Sequence, residues 1–262
     1  MKKIISIVLA VILTAATFLF AGCGKKEDAK SDLEYIKEKG TLIVGVTDFK
    51  PMDYKEGSEW IGFDADMAKA FAKSLGVKCE FIEIEWDNKT LELQNKSIDC
   101  VWNGMTIDDE VKATMDCSNP YCNNAQVVIV KKDFAAKYNT IEACKELKFA
   151  VEVGSAGKKL AEANGFSLTE VKDQASALME IAAGTCDAAV IDKLMAAAMV
   201  GEGTNYENLT YTVDLNSEEY GVGFRQGSDL VAKLNDFFAA SLADGSMEKI
   251  AEKYKVQAAL IK

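Results

Sequence analysis

The chain has 262 residues, 49% of them hydrophobic, and its 41 acidic against 30 basic residues give a net charge of −11 at pH 7. A surface this acidic argues against a nucleic-acid partner, because phosphate contacts require lysine and arginine. The chain contains no histidine, which excludes histidine-based triads, histidine general bases and most metal sites with nitrogen ligands. We therefore expect a globular protein without a metal, a cofactor or a nucleic-acid partner.

The N-terminus is typical of an exported protein. Lys2 and Lys3 precede an apolar run over residues 4–21, the pattern of a secretory signal peptide. Residues 20–23, Phe-Ala-Gly-Cys, resemble a bacterial lipobox with phenylalanine in place of the usual leucine. The resemblance implies a signal peptide over residues 1–22, a lipid on Cys23 and a tether over residues 23–32 at the extracellular face of the membrane. A retained transmembrane anchor is the alternative, because the run approaches the ~20 residues that span a bilayer.

The first half of the chain alternates strand-like and helix-like patterns. The segment 33–39 predicts a short helix that ends at Gly40, and the apolar segment 41–46 predicts a buried strand. There follow a loop over residues 47–52, a helix over 67–75, a strand over 79–85, a helix over 89–95 and a strand over 98–102. This alternation predicts a parallel sheet, with ligands beyond the carboxyl ends of its strands.

Polar residues after the last of these strands form the segment most suited to binding. The pattern over residues 102–111 indicates a strand end, a turn that presents Asn103, Gly104 and Thr106, and a helix start. The three acidic residues at 108–110 suit a first helical turn, where carboxylates complement the helix dipole.

A second block has the same architecture without a repeated sequence. It contains predicted strands over residues 125–130, 149–153, 167–171 and 188–191, and predicted helices over 158–164 and 175–183. The segment 218–225 then indicates a strand that crosses back, and amphipathic helices follow over 228–242 and 245–253. With two prolines in the chain and no Gly/Ser-rich linker, we expect two α/β lobes that share strands as a hinge.

Six cysteines follow Cys23, and two interpretations of them remain open. None forms a Cys-x-x-Cys pair, so a zinc site is not expected. An exported protein could oxidise them to disulfides. Cys79, Cys100 and Cys186 lie in apolar or turn-flanking contexts that suit buried free thiols equally well.

Six short motifs resemble, in order and spacing, those of a known family. They are LIVGV at 42–46, GFDADMA at 62–68, KSIDC at 96–100, NGMTI at 103–107, DCSNPY at 116–121 and EYGVGF at 219–224. The succession is similar to that of the extracellular solute-binding proteins, family 3 type, which are receptors of polar amino-acid ABC importers. The resemblance implies a two-lobed periplasmic-binding-protein fold joined by two crossing strands. It places residues 33–125 and 222–262 in the first lobe and 126–221 in the second.

Nine residues of both lobes are predicted to bind the ligand, eight of them from the resemblance and Asp48 as an acid near the expected cleft: Asp48, Phe49, Trp86, Asn103, Gly104, Thr106, Ser155, Ala156 and Asp192. The two aromatic residues correspond to a clamp around the ligand's side chain. The residues at 103–106 correspond to a turn that contacts its ammonium and carboxylate groups. The amides at 155–156 correspond to a carboxylate site at a helix N-terminus, and Asp192 to the acid that pairs with the α-ammonium.

Val111 is a departure from the family pattern. Family members usually have an arginine there that pairs with the ligand's α-carboxylate, and valine supplies neither charge nor donor. Either amides and Thr106 hold the carboxylate, or the ligand is not an ordinary free α-amino acid.

The acidic residues near the expected cleft allow two interpretations. Asp48, Glu152 and Asp192 could form a negative lining that favours a cationic ligand, with cation–π attraction from Trp86. Asp48 and Glu152 could equally be solvated or cap local structure.

The function implied is that of a monomeric, lipid-anchored receptor that performs no chemistry and presents a small polar amino acid, or a derivative of one, to ABC permease subunits. A secreted dehydratase of cyclohexadienyl compounds such as arogenate, on the same fold, is one alternative, and Glu152 or Asp48 would then act as general acid. A ligand-sensing module is the other.

Overall fold

The computed structural model describes residues 30–262, and Ser31–Lys262 forms one compact unit. The predicted signal peptide, Cys23 and all but the last residues of the predicted tether lie outside the described residues. Within residues 30–262, no helix combines the length and apolar content needed to cross a membrane.

The first lobe is built on a sheet with the strand order β4-β1-β5-β13-β6, in which β7 also pairs with β13. Its strands are β1 (Thr41–Val46), β4 (Lys78–Glu83), β5 (Cys100–Thr106), β6 (Asp116–Cys117), β7 (Cys122–Asn124) and β13 (Glu218–Phe224), with a small hairpin of β2 (Tyr54–Glu56) and β3 (Glu59–Ile61). Its helices are α1 (Asp32–Lys39), α2 (Phe63–Ser74), α3 (Lys89–Gln94), α4 (Asp109–Thr114), α9 (Leu230–Ala243) and α10 (Ser246–Tyr254). The parallel pairs β1–β4 and β1–β5 confirm the predicted parallel sheet.

The second lobe is built on a sheet with the strand order β10-β9-β11-β8-β12. Its strands are β8 (Gln126–Lys131), β9 (Lys148–Glu152), β10 (Ser167–Val171), β11 (Ala188–Asp192) and β12 (Leu209–Asp214). Its helices are α5 (Ile141–Cys144), α6 (Ala156–Ala163), α7 (Gln174–Ala183) and α8 (Lys193–Met199). The strands β9, β10 and β11 run parallel, whereas β8 pairs antiparallel with β11 and β12.

The chain passes between the two sheets twice. It leaves the first sheet after β7 and enters the second at β8, with residue 125 between them, and it returns through residues 215–217 between β12 and β13. The return strand β13 pairs with β5, β6 and β7 of the first sheet. The two-lobed α/β architecture is therefore present, and its two connections lie side by side, since the Leu215 amide donates to the Gln126 carbonyl oxygen at 2.8 Å.

The predicted turn over residues 103–106 was wrong, because β5 runs on through Thr106. The neighbouring strand β1 pairs with β5 only near Val44 and Gly45. On the other side, β13 pairs antiparallel with the end of β5, from Val101 to Thr106. This pairing keeps the polar segment extended. The predicted helix start is confirmed, since Asp108 caps α4 by accepting a hydrogen bond from the Val111 amide.

The short elements were missed by the sequence patterns. The β2–β3 hairpin has three residues per strand and none of them is buried, so it shows no apolar alternation. The edge strand β12 was also missed, since only its first residue, Leu209, is buried. A hydrophobic pattern marks a strand only where some of its residues are buried, and these three strands have few buried residues.

The six cysteines between Cys79 and Cys186 are free thiols, and four of them are buried. Burial raises the pKa of the Cys100 and Cys122 thiols well above its usual value. Such thiols are protonated and behave as small apolar groups. In residues 30–262, no cluster of acidic and cysteine side chains has the arrangement of a metal site.

Candidate ligand-binding cleft

A cavity lies between the two lobes and is lined by both. The first lobe contributes Thr47, Phe49, Trp86, Lys89, Asn103, Gly104, Met105, Thr106, Asp108 and Val111. The second lobe contributes Gln126, Glu152, Gly154, Ser155, Ala156, Lys159, Gln174 and Asp192. Because neither lobe encloses the space alone, a ligand held there would contact both.

Two acidic side chains of the second lobe meet at the carboxyl edge of its sheet. Glu152 ends β9 and Asp192 ends β11. These strands are parallel neighbours, with Ala189 opposite Ala150 in the register, so their last residues lie at the same edge. Only 3% of the surface of each acid is exposed. The fold thus brings together two buried carboxyl groups that are 40 positions apart in the sequence.

Asp192 is held by three side-chain donors. Its Oδ1 accepts hydrogen bonds from Asn124 Nδ2, at 2.5 Å, and from the Tyr220 hydroxyl, while its Oδ2 accepts one from Gln174 Nε2 at 2.5 Å. Burial, together with the nearby charge of Glu218, raises the pKa of Asp192 to about 7. The carboxyl group is therefore poised to ionise when a cation enters the cavity.

Glu152 has far less support from the protein. Its Oε2 is 3.5 Å from Gln174 Nε2, and its Oε1 has no hydrogen-bond partner among the described residues. Burial, and next the charge of Asp192, raises the pKa of Glu152 well above its usual value.

The N-terminus of α6 faces the cavity beside these acids. Ser155 is its N-cap and accepts a hydrogen bond from the Lys158 amide at 3.0 Å, through Oγ. Such a cap orients the first amides of a helix outward, where they suit an anion. Gly157, in the first turn, has no side chain because a Cβ atom would lie 2.8 Å from Gln126 Oε1.

Lys89 supplies an ammonium group that forms no ion pair with an acidic side chain among the described residues. Its Nζ donates to the carbonyl oxygens of Trp86, at 3.1 Å, and of Gly154, at 3.2 Å, and lies 4.8 Å from the centre of the Trp86 ring. Burial, and next the charge of Lys159, lowers the pKa of Lys89. A cation in this position is suited to an anionic ligand group.

Asn103 supports the cavity wall from within the first lobe. Its Oδ1 accepts from the Thr47 amide, at 2.9 Å, and from the Thr47 hydroxyl, at 2.7 Å. Its Nδ2 donates to Asp53 Oδ2 at 2.8 Å. The side chain therefore ties the end of β1 to β5, and its amide hydrogens are used inside the protein.

Gly104 and Phe49 are matched in shape. Gly104 has a φ of +54°, and a Cβ atom on it would lie 2.3 Å from the Phe49 ring. Its amide donates to Asp64 Oδ2 at 2.7 Å. Only glycine leaves room for the ring and adopts this backbone conformation without strain.

Thr106 is engaged with the connecting strand. Its hydroxyl donates to Glu218 Oε1 at 3.0 Å, and the same oxygen accepts from Asn124 Nδ2 and Gln126 Nε2. Because its hydrogen is committed to Glu218, Thr106 offers the cavity acceptor capacity rather than a donor for a carboxylate.

The two lobes touch at the rim of the cavity. Lys159 of α6 forms ion pairs with Asp108, at 2.6 Å, and with Glu110, at 2.7 Å, of the first lobe. A Cβ atom on Gly154 would lie 2.5 Å from Asp87 Oδ1. The structure therefore has the cleft drawn together.

Eight of the nine predicted ligand residues line this cavity, and their ligand contacts stay a prediction. Asp48 does not line it; it lies in a separate depression with Lys172 and Asp173. Its neighbour Phe49 turns into the cleft instead, which corrects the placement of Asp48.

Val111 lines the cavity as expected, and its position contributes no charge. The sequence patterns missed Lys89, Gln126, Lys159 and Gln174 as lining residues. Lys89 and Gln174 are the first residues of α3 and α7. Their position at the start of a helix that follows a strand is the feature of the sequence that could have indicated them as cavity residues.

The family model for bacterial extracellular solute-binding proteins, family 3, matches residues 42–257. This match spans both lobes and the cleft between them. The chain belongs to this family. Its fold class and extracellular solute-binding role follow from the membership.

Individual relatives agree with the family match. The solute-binding protein is 32% identical to the arginine-binding extracellular protein ArtP of Bacillus subtilis, over 94% of this chain and 96% of ArtP. It is 31% identical to the L-cystine-binding protein TcyJ of Escherichia coli, over 94% of each chain.

A solved structure of similar fold is that of an ancestral amino acid-binding protein, AncCDT-1, described as a precursor of cyclohexadienyl dehydratase. It has a TM-score of 0.78 and 33% identity to this protein, and the match covers 86% of this chain and 99% of that one.

Proposed function

We propose that this solute-binding protein captures a single amino acid in the cleft and presents it to the permease of an ABC importer. The observation that carries the proposal is that one cavity joins a buried carboxyl group, Asp192, with two anion-seeking features, Lys89 and the N-terminus of α6. A zwitterion needs both kinds of partner at short range. The relatives named for arginine and cystine support an amino acid as the ligand class.

The two ends of the ligand have separate partners in this proposal. Asp192 receives the α-ammonium, since a carboxylate can accept more than the three hydrogen bonds it has. The α-carboxylate lies at the amides of Ser155 and Ala156, with Lys89 as the counter-charge that Val111 does not provide. Phe49 and Trp86 line the space that remains for the ligand's side chain.

Closure of the lobes is the signal that the permease reads. The contacts of Lys159 and Gly154 with the first lobe form when the cleft is drawn together, and a ligand that touches both walls favours that arrangement. Binding then shifts a conformational equilibrium by the difference in affinity between the two forms.

The extracellular placement follows from the family, and we propose that a lipid on Cys23 adds the anchor. The support is the apolar run and the Phe-Ala-Gly-Cys sequence that ends it. The protein would act as a monomer on a charged tether. Metabolic labelling with a fatty-acid analogue, compared between the natural chain and Cys23→Ala, tests the anchor.

A dehydratase is the second candidate, and Glu152 is the observation that favours it. A buried carboxyl group with a raised pKa can act as a general acid, and AncCDT-1 is described as a precursor of such an enzyme. The curated relatives above are named as binding proteins, and we infer that this protein also performs no chemistry. Incubation with prephenate or arogenate should give no aromatic product, and turnover that is lost in Glu152→Gln would contradict this.

The receptor role is tested by a thermal-shift screen of free amino acids and their modified forms. A ligand at about 100 times its dissociation constant should stabilise the fold by about 2.7 kcal/mol. N-acetylation should remove the stabilisation through the ammonium, and α-amidation should reduce it through the carboxylate. If no amino acid stabilises the protein, the proposed function is wrong.

A further inference from the structure

Glu152 is a buried acid that the proposed handling of an α-amino acid leaves unused. It lines the cavity with 3% of its surface exposed, and its Oε1 has no partner among the described residues. Gln174 cannot serve it well, because Gln174 Nε2 is 2.5 Å from Asp192 and 3.5 Å from Glu152. A buried carboxyl group without a donor is costly unless a ligand compensates it.

A second acceptor in the same wall is also without a donor. Gln126 is 1% exposed, and its Oε1 has no partner among the described residues. Its amide orientation follows from Glu218, which accepts from Gln126 Nε2 at 2.8 Å. The wall therefore offers two buried acceptors, Glu152 and Gln126, to a group rich in N–H donors.

The charges of the cavity residues also favour a cationic group on the ligand. Among the described lining residues, Asp108, Glu152 and Asp192 are acidic and Lys89 and Lys159 are basic. Lys159 is neutralised by its ion pair with Asp108. With both remaining acids ionised, the cavity has one negative charge in excess. A neutral zwitterion leaves that excess in place, whereas an amino acid with a net charge of +1 removes it.

We propose that Glu152, supported by Gln126, selects amino acids whose side chain ends in a cationic group such as an ammonium or a guanidinium. This rests on the proposed function and names the ligand class of the same site. The cationic group is an N–H donor without acceptor capacity, so it complements two acceptors. Trp86 and Phe49 border the same cavity and can contact the side chain that leads to the cation.

Isothermal titration with matched ligands tests the selection. L-arginine and L-citrulline have nearly the same shape and differ in side-chain charge. The natural protein should bind L-arginine at least about 30-fold more tightly than L-citrulline, as expected for a charge-assisted hydrogen bond in a buried site. L-lysine should also bind more tightly than L-glutamine.

Glu152→Gln is the variant that isolates the charge. It should weaken L-arginine binding by about 30-fold and change L-citrulline binding by less than about 3-fold. Glu170→Gln removes the same charge from the neighbouring strand β10, where the side chain is half exposed and pairs with Lys158. It should leave both affinities unchanged. Thermal melting of each variant verifies that it is folded.

Three outcomes would overturn the proposal. L-citrulline or L-glutamine could bind the natural protein as tightly as L-arginine, which leaves the receptor role intact but removes the cationic selection. Glu152→Gln could retain the preference, or could abolish binding of charged and neutral ligands alike, which would make Glu152 an acceptor of the α-ammonium. Failure of every amino acid to bind would instead overturn the proposed function and this inference with it.

Discussion

Each lobe contains a pair of buried acids next to the cleft, and the two pairs are used differently. The first-lobe pair is Asp53 and Asp64, and the second-lobe pair is Glu152 and Asp192. All four are buried, and burial raises the pKa of each. Only the second-lobe pair lines the cavity.

The first-lobe pair acts on the protein itself. Asp53 accepts from Asn103, and Asp64 accepts from the Gly104 amide and from the Tyr121 hydroxyl at 2.7 Å. These bonds hold the end of β5 from behind. Buried acids thus stabilise a wall in one lobe and line the cavity in the other, and burial alone does not distinguish the two positions.

The largest expected effect comes from removing one acid of the second-lobe pair. Asp192→Ala should weaken amino-acid binding by about 100-fold or more, because the α-ammonium loses its charged partner in a buried site. Titration calorimetry on the folded variant measures the loss. An affinity within about 3-fold of the natural protein would remove Asp192 from the ammonium site.

Asp64→Asn is the matched change in the first-lobe pair. It disturbs the bonds from Gly104 and Tyr121 and should lower the free energy of unfolding by about 1–3 kcal/mol. The affinity of the folded fraction should fall much less than in Asp192→Ala. The reverse result, with intact stability and lost binding, would show that the first-lobe pair also acts on the ligand.

The next largest expected effect is that of pH, which should distinguish the second-lobe acids from the first-lobe acids. The pKa of Asp192 is about 7 in the ligand-free fold, raised by burial and by Glu218 above its ordinary value of 3.8. Because the folded value lies above the unfolded one, the ligand-free fold is favoured as the pH falls and loses this contribution as the pH rises through 7. The groups that face the Asp192 carboxyl group are Glu152, Glu218, Tyr220 and Gln174.

Ligand binding should have the opposite dependence on pH. The ammonium group of the ligand requires ionised Asp192. Below the pKa of Asp192, affinity should therefore fall by about 10-fold per pH unit for each proton that binding releases. Calorimetry in buffers of different ionisation enthalpy should register proton release on binding. Asp192→Asn should reduce this release, and Asp64→Asn should leave it unchanged. Equal release in both variants would contradict the assignment.

A substitution that hinders closure of the two lobes should weaken ligand affinity, whereas a matched substitution away from the cleft should not. Gly154→Ala places a Cβ atom 2.5 Å from Asp87 across the cleft, at a φ of +69°. Gly165→Ala has nearly the same φ, +73°, with no atom within 4 Å of the new Cβ. Both should lose about 1 kcal/mol of stability through backbone strain. Only the first should also weaken ligand affinity, by about 5-fold, and equal affinities would exclude this contact from closure.

The smallest expected effect concerns the ion pairs at the rim. Lys159→Met removes pairs with Asp108 and Glu110 of the other lobe, and since these side chains are partly exposed the cost should be below about 1 kcal/mol, or about 2- to 5-fold in affinity. Lys158→Met removes only pairs within the second lobe and should leave the affinity unchanged. Equal ligand affinities of the two variants would show that the ion pairs at the rim do not favour the closed arrangement of the lobes.

Much of the fold was predictable from local pattern. The strands Thr41–Val46 and Ser167–Val171 match the predicted bounds, and most helices are within a few residues of theirs. The failure at residues 103–106 has a specific cause: polar residues there indicate a turn locally, but β13 supplies hydrogen-bond partners from more than 100 residues away. The family resemblance likewise named eight residues that line the cavity, whereas Asp48, predicted as an acid near the cleft, lies outside it.

Local pattern was sufficient for most of the elements, and the motif resemblance was sufficient for the family and for eight of the residues that line the cleft, because those signals lie within short stretches of chain. The tertiary structure decided which residues meet at the cleft: it brings Glu152 close to Asp192, places Lys89 in the cavity wall, and leaves two buried oxygens of the second-lobe wall without a partner among the described residues. Strand register and lobe contacts set those distances, and they depend on residues far apart in the sequence.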